Sequence, residues 1–388
     1  MGKSYAFSQA AVNQELFLSD LPLEAFDGYK HNLPLQLARA GIDFEGYRPE
    51  LTSAADRYRK SQQVQMLSNP PSDSGLFSPD DLGPGDSSRV RLSKSNAGRP
   101  PLDPVVMFRI VFLGQITQTS DEEMSLSISS NMVTRLFVKV PPGVRISRQA
   151  IWAYREMFAK SGVCEMIMRA HVDELRKMGL VANDGPMILD GSFVEAPKQR
   201  NTREENQLIK DGRGAELWND QPAKKRQKDV DGRWTKKNNE THFGYKIHAL
   251  ADATSKVMLF GATTPANVHD SRALNMVLND QEDKGRVLYA DSAYAGKELE
   301  ELTRSFNVIP CFCEKGYANR PLTAEQKAKN REKSKTRCRI EHIFGHIQTV
   351  FKGSCVRSIG LVRAEAHNWL IMLGYNICRQ LTLCRQLE

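Results

Sequence analysis

The chain has 388 residues, of which 54 are Lys or Arg and 46 are Asp or Glu, and its formal net charge is +8. Apolar residues make up 40% and charged residues 26%, a composition that excludes a disordered or fibrous protein. No apolar run approaches the roughly 18 residues of a membrane helix, and the N-terminus lacks the apolar core of a signal peptide. Seven cysteines, an odd number, favour reduced thiols. We therefore expect an intracellular protein, and its modest basic excess suggests a polyanionic partner.

The chain divides first at a segment that cannot form a core. Residues 68–88 hold four Pro, three Gly, six Ser and four Asp without any Lys or Arg. Because such a composition favours a solvated, irregular chain, we predict a linker over residues 68–98. It separates an N-terminal region, residues 1–67, which we expect to be helical and to which the sequence gives no clear role, from the segments that follow.

A series of helix signals follows the linker. Asp103 and Pro104 supply an N-cap and a first-turn proline, Ser120 begins a capping box, and Ser147 can cap a third helix, with a fourth helix after it. We predict a helical domain over residues 99–182. Periodicity does not distinguish a DNA-binding role from dimerisation or scaffolding.

From residue 183 onward the pattern changes to strands separated by helices. The predicted strands are 187–196, 242–252, 256–264, 286–294 and 307–313. The predicted helices are 269–280, 297–306, about 331–351 and about 363–385. Three consecutive strands, then helix, strand, helix, strand and helix, is the element order of a ribonuclease-H-like core. We therefore predict an α/β domain with a mixed sheet over residues 183–388.

An insertion of about 45 polar residues, 197–241, separates the first two predicted strands and is too long for a hairpin turn. Its segment 224–237 carries seven basic and two acidic residues, with an aromatic residue among them. Two further basic segments, 89–101 and 320–339, have net charges of +4 and +6. From the three segments we predict contacts with double-stranded DNA. The candidate residues are Arg99, Lys224, Lys225, Arg226, Lys228, Arg233, Trp234, Lys236, Lys237, Lys333, Lys335 and Arg339.

Three carboxylates have the placement of a metal site. Asp190 lies within an apolar strand and Asp291 ends another, where an ionised carboxylate is costly unless a cation or hydrogen-bond donors meet it. Glu341 lies on the helix 331–351, at the edge of an apolar stripe that includes Phe344. Converging on one strand-end cleft, these groups can hold two divalent ions that promote phosphoryl transfer. The competing interpretation is an ordinary hydrogen-bonded Asp at a strand end.

Zinc is an alternative metal for this part of the chain. His342 and His346 are four residues apart on the helix of Glu341, and Cys311, Cys313 and Cys338 offer thiolates. On a regular helix, however, both histidines project roughly 100–140° away from the glutamate, so they do not share its site. We expect both histidines on the surface or facing DNA.

Polar residues near the third predicted strand are candidates for supporting roles. Asp270 follows His269 at the start of a predicted helix. We expect it to cap that helix, with a place beside the metal carboxylates as the alternative. Lys246 and His248 alternate on the second predicted strand and share a face, which we expect to be solvated, with contact to DNA as the alternative.

With these residues in place, the chain resembles bacterial DDE-type transposases of the insertion-sequence-five (InsH-like) family. The resemblance covers about residues 97–379. It is carried by AGRPPLDPVVMFRIVFL, SDEEMSLSISSNMVTRLFV, ILDGSFVEAPKQRNTREENQLIKDG, RWTKKNNETHFGYKIHALAD, ANVHDSRAL, LYADSAYAG and RCRIEHIFGHIQ. It implies that Asp190, Asp291 and Glu341 bind two Mg²⁺ ions, for which Mn²⁺ substitutes.

The resemblance has one departure, in a signature around the glutamate. Related transposases place a tyrosine and an arginine before the glutamate and a lysine after it. Here Arg337 stands at the arginine position, whereas Ser334 and Gln348 stand at the tyrosine and lysine positions. Lys352, one turn further along, is a candidate to replace the missing lysine as a phosphate contact.

The resemblance implies an enzyme that binds the terminal inverted repeats of its own element, cleaves the DNA ends and joins the 3′ ends to target DNA. Because two ends must be joined together, we expect a homodimer on DNA, in the bacterial cytoplasm and associated with the nucleoid. Two other functions stay open. One is a domesticated or degenerate relative that binds DNA without cutting it, and the other is a ribonuclease-H-type nuclease.

Overall fold

The structure is a computed structural model. It describes residues 42–68, 101–141, 144–237, 239–317 and 320–387, together with 33, 34 and 37. Apart from Ser68, the predicted linker lies outside the described residues, as does Arg99. The chain forms two compact units, an N-terminal unit, Met1–Ile167, and a C-terminal unit, Met168–Glu388.

The N-terminal unit is helical in its described parts. Its helices are α1 (Arg48–Ser68), α2 (Pro104–Ile116), α3 (Asp121–Ser130), α4 (Met132–Val138) and α5 (Arg148–Ser161), and α6 (Val163–Lys177) includes the division between the units. The predicted caps are confirmed: Asp103, Ser120 and Ser147 each accept hydrogen bonds from the first turn of a helix. Eleven of the 13 residues of α2 are buried, so the other helices of this unit surround it.

The C-terminal unit contains one mixed sheet of six strands. They are β1 (Met187–Glu195), β2 (Arg233–Lys237), β3 (Glu240–Asp252), β4 (Met258–Pro265), β5 (Val287–Ala290) and β6 (Ile309–Phe312). The order is β4-β3-β1-β5-β6, and β2 pairs with the first half of β3. β3 is antiparallel to β1 and β4, whereas β1, β5 and β6 are parallel. This order is that of a ribonuclease-H-like sheet, and the predicted α/β fold is confirmed.

The helices of this unit follow the predicted order but not every predicted boundary. They are α7 (Arg203–Lys210), α8 (Pro222–Lys225), α9 (Leu274–Val277), α10 (Lys297–Ser305), α11 (Ala324–Arg337), α12 (Arg339–Val350) and α13 (Leu361–Leu387). The predicted insertion is folded, since it contains α7, α8 and β2. The helix predicted over 269–280 is instead a 3-10 turn, Asp270–Ala273, followed by the single turn of α9.

The helix predicted over 331–351 is two helices that meet at Cys338. α11 starts seven residues earlier than predicted because Thr323 and Gln326 form a capping box. The predicted buried stripe of α12 is also corrected at one position, since Ile343 is buried and Phe344 only half-buried. No helix in the described ranges is long and apolar enough to cross a membrane.

A buried arginine ties together the starts of the parallel strands. Arg286, immediately before β5, is fully buried and donates to the Gly185 carbonyl at 2.8 Å, and its guanidinium lies 3.3 Å from Asp252. The other oxygen of Asp252 accepts from the N–H and hydroxyl of Ser255, at the turn after β3. One ionic cluster thus links the segments that flank β1, β3 and β5.

Removing the arginine of this cluster should destabilise the C-terminal unit. Arg286→Ala leaves the Asp252 carboxylate buried without its cation, and breaking such a pair costs roughly 3–5 kcal/mol. Urea denaturation followed by circular dichroism measures the loss. The control is Arg304→Ala, which removes an exposed pair with Glu300 and should cost less than about 1 kcal/mol. Equal losses in the two variants would contradict this role of the cluster.

Candidate active site

Asp190 lies in the middle of β1, where β3 pairs with it through Ala249. Its side chain is 22% exposed, and one oxygen accepts the N–H of Gly191 at 2.8 Å. Burial raises the pKa of Asp190 to about 6; the charge of Asp291 acts in the same direction, while Gly191 and Arg337 act against it. The strand thus holds a carboxylate whose charged form is costly without a cation.

Asp291 follows the last residue of β5, the parallel neighbour of β1. The register pairs Met187 with Leu288 and Ile188 with Tyr289, so its continuation places Asp190 level with Asp291. Asp291 also caps the 3-10 turn Ser292–Tyr294 by accepting the N–H of Ala293 at 2.8 Å. The predicted pair of strand-end carboxylates is therefore brought together by the sheet itself.

Glu341 is linked to Asp190 by an arginine side chain that hydrogen-bonds to both carboxylates. Arg337, the last residue of α11, donates to Asp190 at 3.3 Å and to Glu341 at 2.7 Å. Although burial opposes it, the contacts with Glu341 and Asp190 raise the pKa of Arg337. α12 packs its buried isoleucines toward the sheet, and Glu341 is left 59% exposed at the edge of the helix.

The three carboxylates do not form a closed metal cage in this arrangement. Within the described ranges, no group of three or more His, Cys, Asp or Glu side chains is placed to hold a metal ion. The donors nevertheless fit a divalent cation, because the carboxylates of Asp190 and Asp291 are the hard oxygen ligands that Mg²⁺ prefers. The hydroxyl of Tyr294, beside them, is fully buried and has no hydrogen-bond partner among the described residues.

Tyr294 is a residue that the sequence analysis missed. Burial raises the pKa of its hydroxyl, and the negative charges of Asp270, Asp190 and Asp291 raise it further, so the hydroxyl keeps its proton. The signal in the sequence was its position three residues after Asp291. Tyr294 lies in the 3-10 turn that Asp291 caps, and its side chain is fully buried.

A buried polar network lies behind β1. Lys246 on β3 donates to Asp270 at 3.0 Å and to the Val268 carbonyl at 2.9 Å, and His248 donates to or accepts from Thr264 at 2.8 Å. His248 is fully buried, and burial lowers its pKa to about 4. The solvated sheet face expected for Lys246 and His248 is therefore wrong, because the segment after β4 folds over it.

The same network corrects the role expected for Asp270. His269 caps the turn by accepting the N–H of Ser271, whereas Asp270 pairs with Lys246. A β-carbon on Gly191 would lie 3.0 Å from the Asp270 carboxylate. Since successive side chains on a strand point to opposite faces, Asp270 lies behind the strand that carries Asp190.

The basic residues of the insertion divide into two groups. Four of them make bonds inside the unit: Lys224 with Glu205, Lys225 with Asn219, Lys228 with Asn201, and Arg233 with the Ile209 carbonyl. Four other candidates are exposed, Arg226, Trp234, Lys236 and Lys237; Lys225 is exposed too, although its ammonium group is bonded. The charge of Lys237 reaches Asp190, whose pKa it helps to lower. The surface available to a partner is therefore the exposed group.

The third basic segment shows the same division. Lys333 donates to the Phe312 carbonyl at 2.6 Å, Arg339 donates to the Ala253 carbonyl at 2.6 Å, and Lys335 pairs with Glu332 on the surface of α11. Gln348 and Lys352 are exposed. Lys352 has a φ of 49° and ends α12 in a left-handed conformation.

The residues of the zinc alternative are dispersed. His342 is exposed, but His346 is half-buried between the rings of Phe351 and Tyr375, and burial lowers its pKa. The surface position expected for His346 is therefore wrong, because α13 covers that side of α12. All seven cysteines are free thiols, and Cys313 contacts Ser334.

Stability should respond to pH through Asp190. A raised carboxyl pKa means that the folded chain holds this proton more tightly than the unfolded chain, whose Asp pKa is near 3.9. Ionisation therefore lowers the free energy of unfolding as the pH rises from about 4 to about 6, by up to about 3 kcal/mol. Asp190→Asn removes this loss, so the variant should be more stable than the wild type at pH 7.5 and nearly equal to it at pH 4.

Urea denaturation at the two pH values measures this difference. The matched control is Asp220→Asn at an exposed position of the insertion, for which no pH-dependent difference is expected. An Asp190→Asn variant that is less stable than the wild type at pH 7.5 would contradict the assigned cost of the charge.

Comparison with known proteins finds similarity to transposases. Residues 86–156 match the family described as a transposase domain of the DUF772 type. The chain is 27% identical over 230 residues to the transposase for insertion sequence element IS1106 of Neisseria meningitidis serogroup B, covering 58% of this chain and 76% of that protein. A cryo-EM structure of the piggyBac transposase synaptic complex with hairpin DNA overlaps with a TM-score of 0.41 at 10% identity, covering 75% of this chain and 69% of that one.

The decisive match covers the C-terminal unit. Residues 183–377, half of the chain, match the family described as the transposase DDE domain. These are the residues that supply the sheet, both strand-end aspartates and the helix of Glu341. The predicted family is confirmed: the chain belongs to the DDE transposases, enzymes of DNA cleavage and strand transfer.

Proposed function

We propose that this transposase binds the terminal inverted repeats of its own insertion sequence, cleaves the DNA ends at the Asp190, Asp291 and Glu341 site, and joins the 3′ ends to target DNA. The observation that carries this proposal is the strand register that sets Asp190 level with Asp291, with Glu341 joined to them through Arg337. It sets two carboxylates side by side on neighbouring parallel strands, with the third linked to Asp190 through Arg337.

DDE transposases use divalent metal ions, and we propose two Mg²⁺ ions here, with Mn²⁺ as a substitute. Asp190 and Asp291 would hold them together with Glu341. When bound, the ions supply activation of the attacking oxygen and stabilisation of the leaving oxygen. The chain itself contributes a carboxylate kept in low-dielectric surroundings at Asp190, a fixed strand register, and donors that orient each aspartate through one oxygen.

Other residues have supporting roles in this proposal. Lys246 pairs with Asp270 at 3.0 Å behind β1, next to the backbone of Gly191 that follows Asp190. Lys237, Lys236 and Arg226 face solvent on the insertion and meet DNA phosphates, while Gln348 and Lys352 lie exposed on and after α12. His269, also exposed, is a further candidate at this side.

The assembly and setting follow from the reaction. Two element ends have to be held together for joining, so we propose a homodimer on double-stranded DNA. The helical N-terminal unit is the candidate for recognising the repeats or for dimerisation. The DNA of a bacterial nucleoid, in the cytoplasm, is the expected setting.

The triad can be tested by removing one carboxylate at a time. Asp190→Ala, Asp291→Ala and Glu341→Ala should each abolish cleavage of duplexes that carry the element ends, while DNA affinity falls little because phosphate contacts elsewhere supply most of it. A gel assay of cleavage and fluorescence anisotropy of binding measure the two effects. His342→Ala, the exposed neighbour of Glu341, is the control and should cleave normally. Full cleavage by any triad variant would refute the assignment.

The same assay separates the alternative functions. A degenerate DNA-binding relative would bind the ends without cutting them in Mg²⁺. A ribonuclease-H-type nuclease would cut without strand joining and without needing the repeat sequences. The intact carboxylate triad favours a transposase over a degenerate DNA-binding relative. Ser334 and Gln348, at the two signature positions where this chain departs from related transposases, are the observation on the side of the degenerate relative.

The exposed basic group should set part of the salt dependence of DNA binding. Each phosphate contact contributes a slope of about 0.9 to the plot of log affinity against log salt. Arg226→Ala with Lys236→Ala should therefore reduce the slope by roughly 2, measured by anisotropy over a salt series. Arg213→Ala, which removes a charge already paired with Glu216, should leave the slope unchanged. An unchanged slope in the double variant would mean that these side chains are only solvated.

A further inference from the structure

Arg337 places a cation of the protein itself among the three carboxylates. One amino group of its guanidinium lies 3.3 Å from Asp190 and the other 2.7 Å from Glu341, and the charge of Asp291 also acts on it. Its side chain is only 19% exposed. A guanidinium in this position neutralises part of the charge that a divalent ion would otherwise meet.

The arginine and a metal ion compete for the same oxygen atoms. A guanidinium cannot lose its proton at any ordinary pH, so it vacates the carboxylates only by moving. In the observed position Arg337 donates hydrogen bonds to both Asp190 and Glu341 and is their counter-ion.

A phosphate is the natural alternative partner for this side chain. The planar guanidinium binds phosphate as well as carboxylate through two parallel hydrogen bonds. Arg337 is the last residue of α11, beside the break at Cys338, and Glu341 is 59% exposed on the following helix. A DNA phosphate that draws Arg337 away from the carboxylates would leave Glu341 free to turn toward Asp190 and Asp291.

We propose that Arg337 is an internal counter-ion that keeps the triad from binding divalent metal until a DNA phosphate draws it away. The inference rests on the proposed function of the triad, and it adds a coupling between the binding of metal and the binding of DNA. Because such coupling is reciprocal, bound DNA raises the affinity for the metal and bound metal raises the affinity for DNA by the same factor. The enzyme would then carry little bound metal when it is not on DNA.

The affinity for Mn²⁺ alone tests the first half of the proposal. Isothermal titration of the DNA-free full chain should show that Arg337→Ala binds Mn²⁺ at least about fivefold more tightly than the wild type, the lower end of typical coupling factors. The matched control is Arg331→Ala, which removes the same charge from an exposed position of the same helix and should behave as the wild type. Equal or weaker Mn²⁺ binding by Arg337→Ala would overturn the proposal.

Two further variants keep the outcomes separate. Arg337→Gln removes the charge with less loss of volume and replaces the alanine variant if circular dichroism shows that variant to be unfolded. Asp190→Ala should lose Mn²⁺ binding, and binding that persists there would refute the metal site of the proposed function. Lost binding in Asp190→Ala with unchanged affinity in both Arg337 variants would refute the counter-ion alone.

Adding DNA tests the second half. The probe is a DNA duplex with the terminal sequence of the element, taken from the DNA that flanks the gene of this chain. Its concentration is one that anisotropy shows to be saturating. The wild type should then bind Mn²⁺ at least about fivefold more tightly than without DNA, whereas Arg337→Ala should gain much less. A wild-type affinity that does not change with DNA would overturn the release by phosphate.

Discussion

Two like charges set side by side on neighbouring parallel strands are the constraint on which the C-terminal unit depends. The register of β1 and β5 makes Asp190 and Asp291 level with each other, and beside burial the charge of Asp291 helps to raise the pKa of Asp190. One N–H fixes each carboxylate, and Arg337 supplies a compensating charge. Burial keeps the pKa of Asp190 raised in spite of these contacts, so the charged form of this side chain stays costly.

The rest of the sheet is built to hold this register. At the far ends of the same strands, Arg286 joins Gly185 and Asp252, so β1 and β5 are fixed relative to each other away from the site. Behind β1, a β-carbon on Gly191 would lie 3.0 Å from the Asp270 carboxylate and 3.3 Å from the His248 ring, so the back of the strand is tightly packed here. The strand that carries Asp190 is thus fixed at its start and along its back, and only its front is open to ligands.

The parts predicted from sequence are those encoded locally. The sequence of strands and helices along the chain, apart from β2, and the helix caps at Asp103, Ser120 and Ser147 follow from periodicity and capping residues, and the carboxylate pair follows from acidic residues in or after apolar runs. The sequence did not reveal that His248 is buried, because its surroundings, which include Thr264 on β4 and Asp270 after it, come from other parts of the fold. The position of His346 was missed for the same reason, since α13 supplies its surroundings. The start of α11 was missed although Thr323 and Gln326 carried the signal.

Net charge alone does not identify which basic side chains of the insertion are free to bind a partner, and the reason is physical. A lysine whose ammonium group donates to a protein carbonyl keeps its charge but has fewer donors left for a phosphate. Lys225 and Lys228 are of this kind, so the segment 224–237 has fewer phosphate-binding groups than its seven basic residues suggest. One of its two acidic residues, Asp229, is buried, where it accepts the hydroxyl of Tyr245 at 2.7 Å. Several basic residues of this insertion therefore stabilise its own fold, and only their contacts distinguish them from residues whose charge is free for a partner.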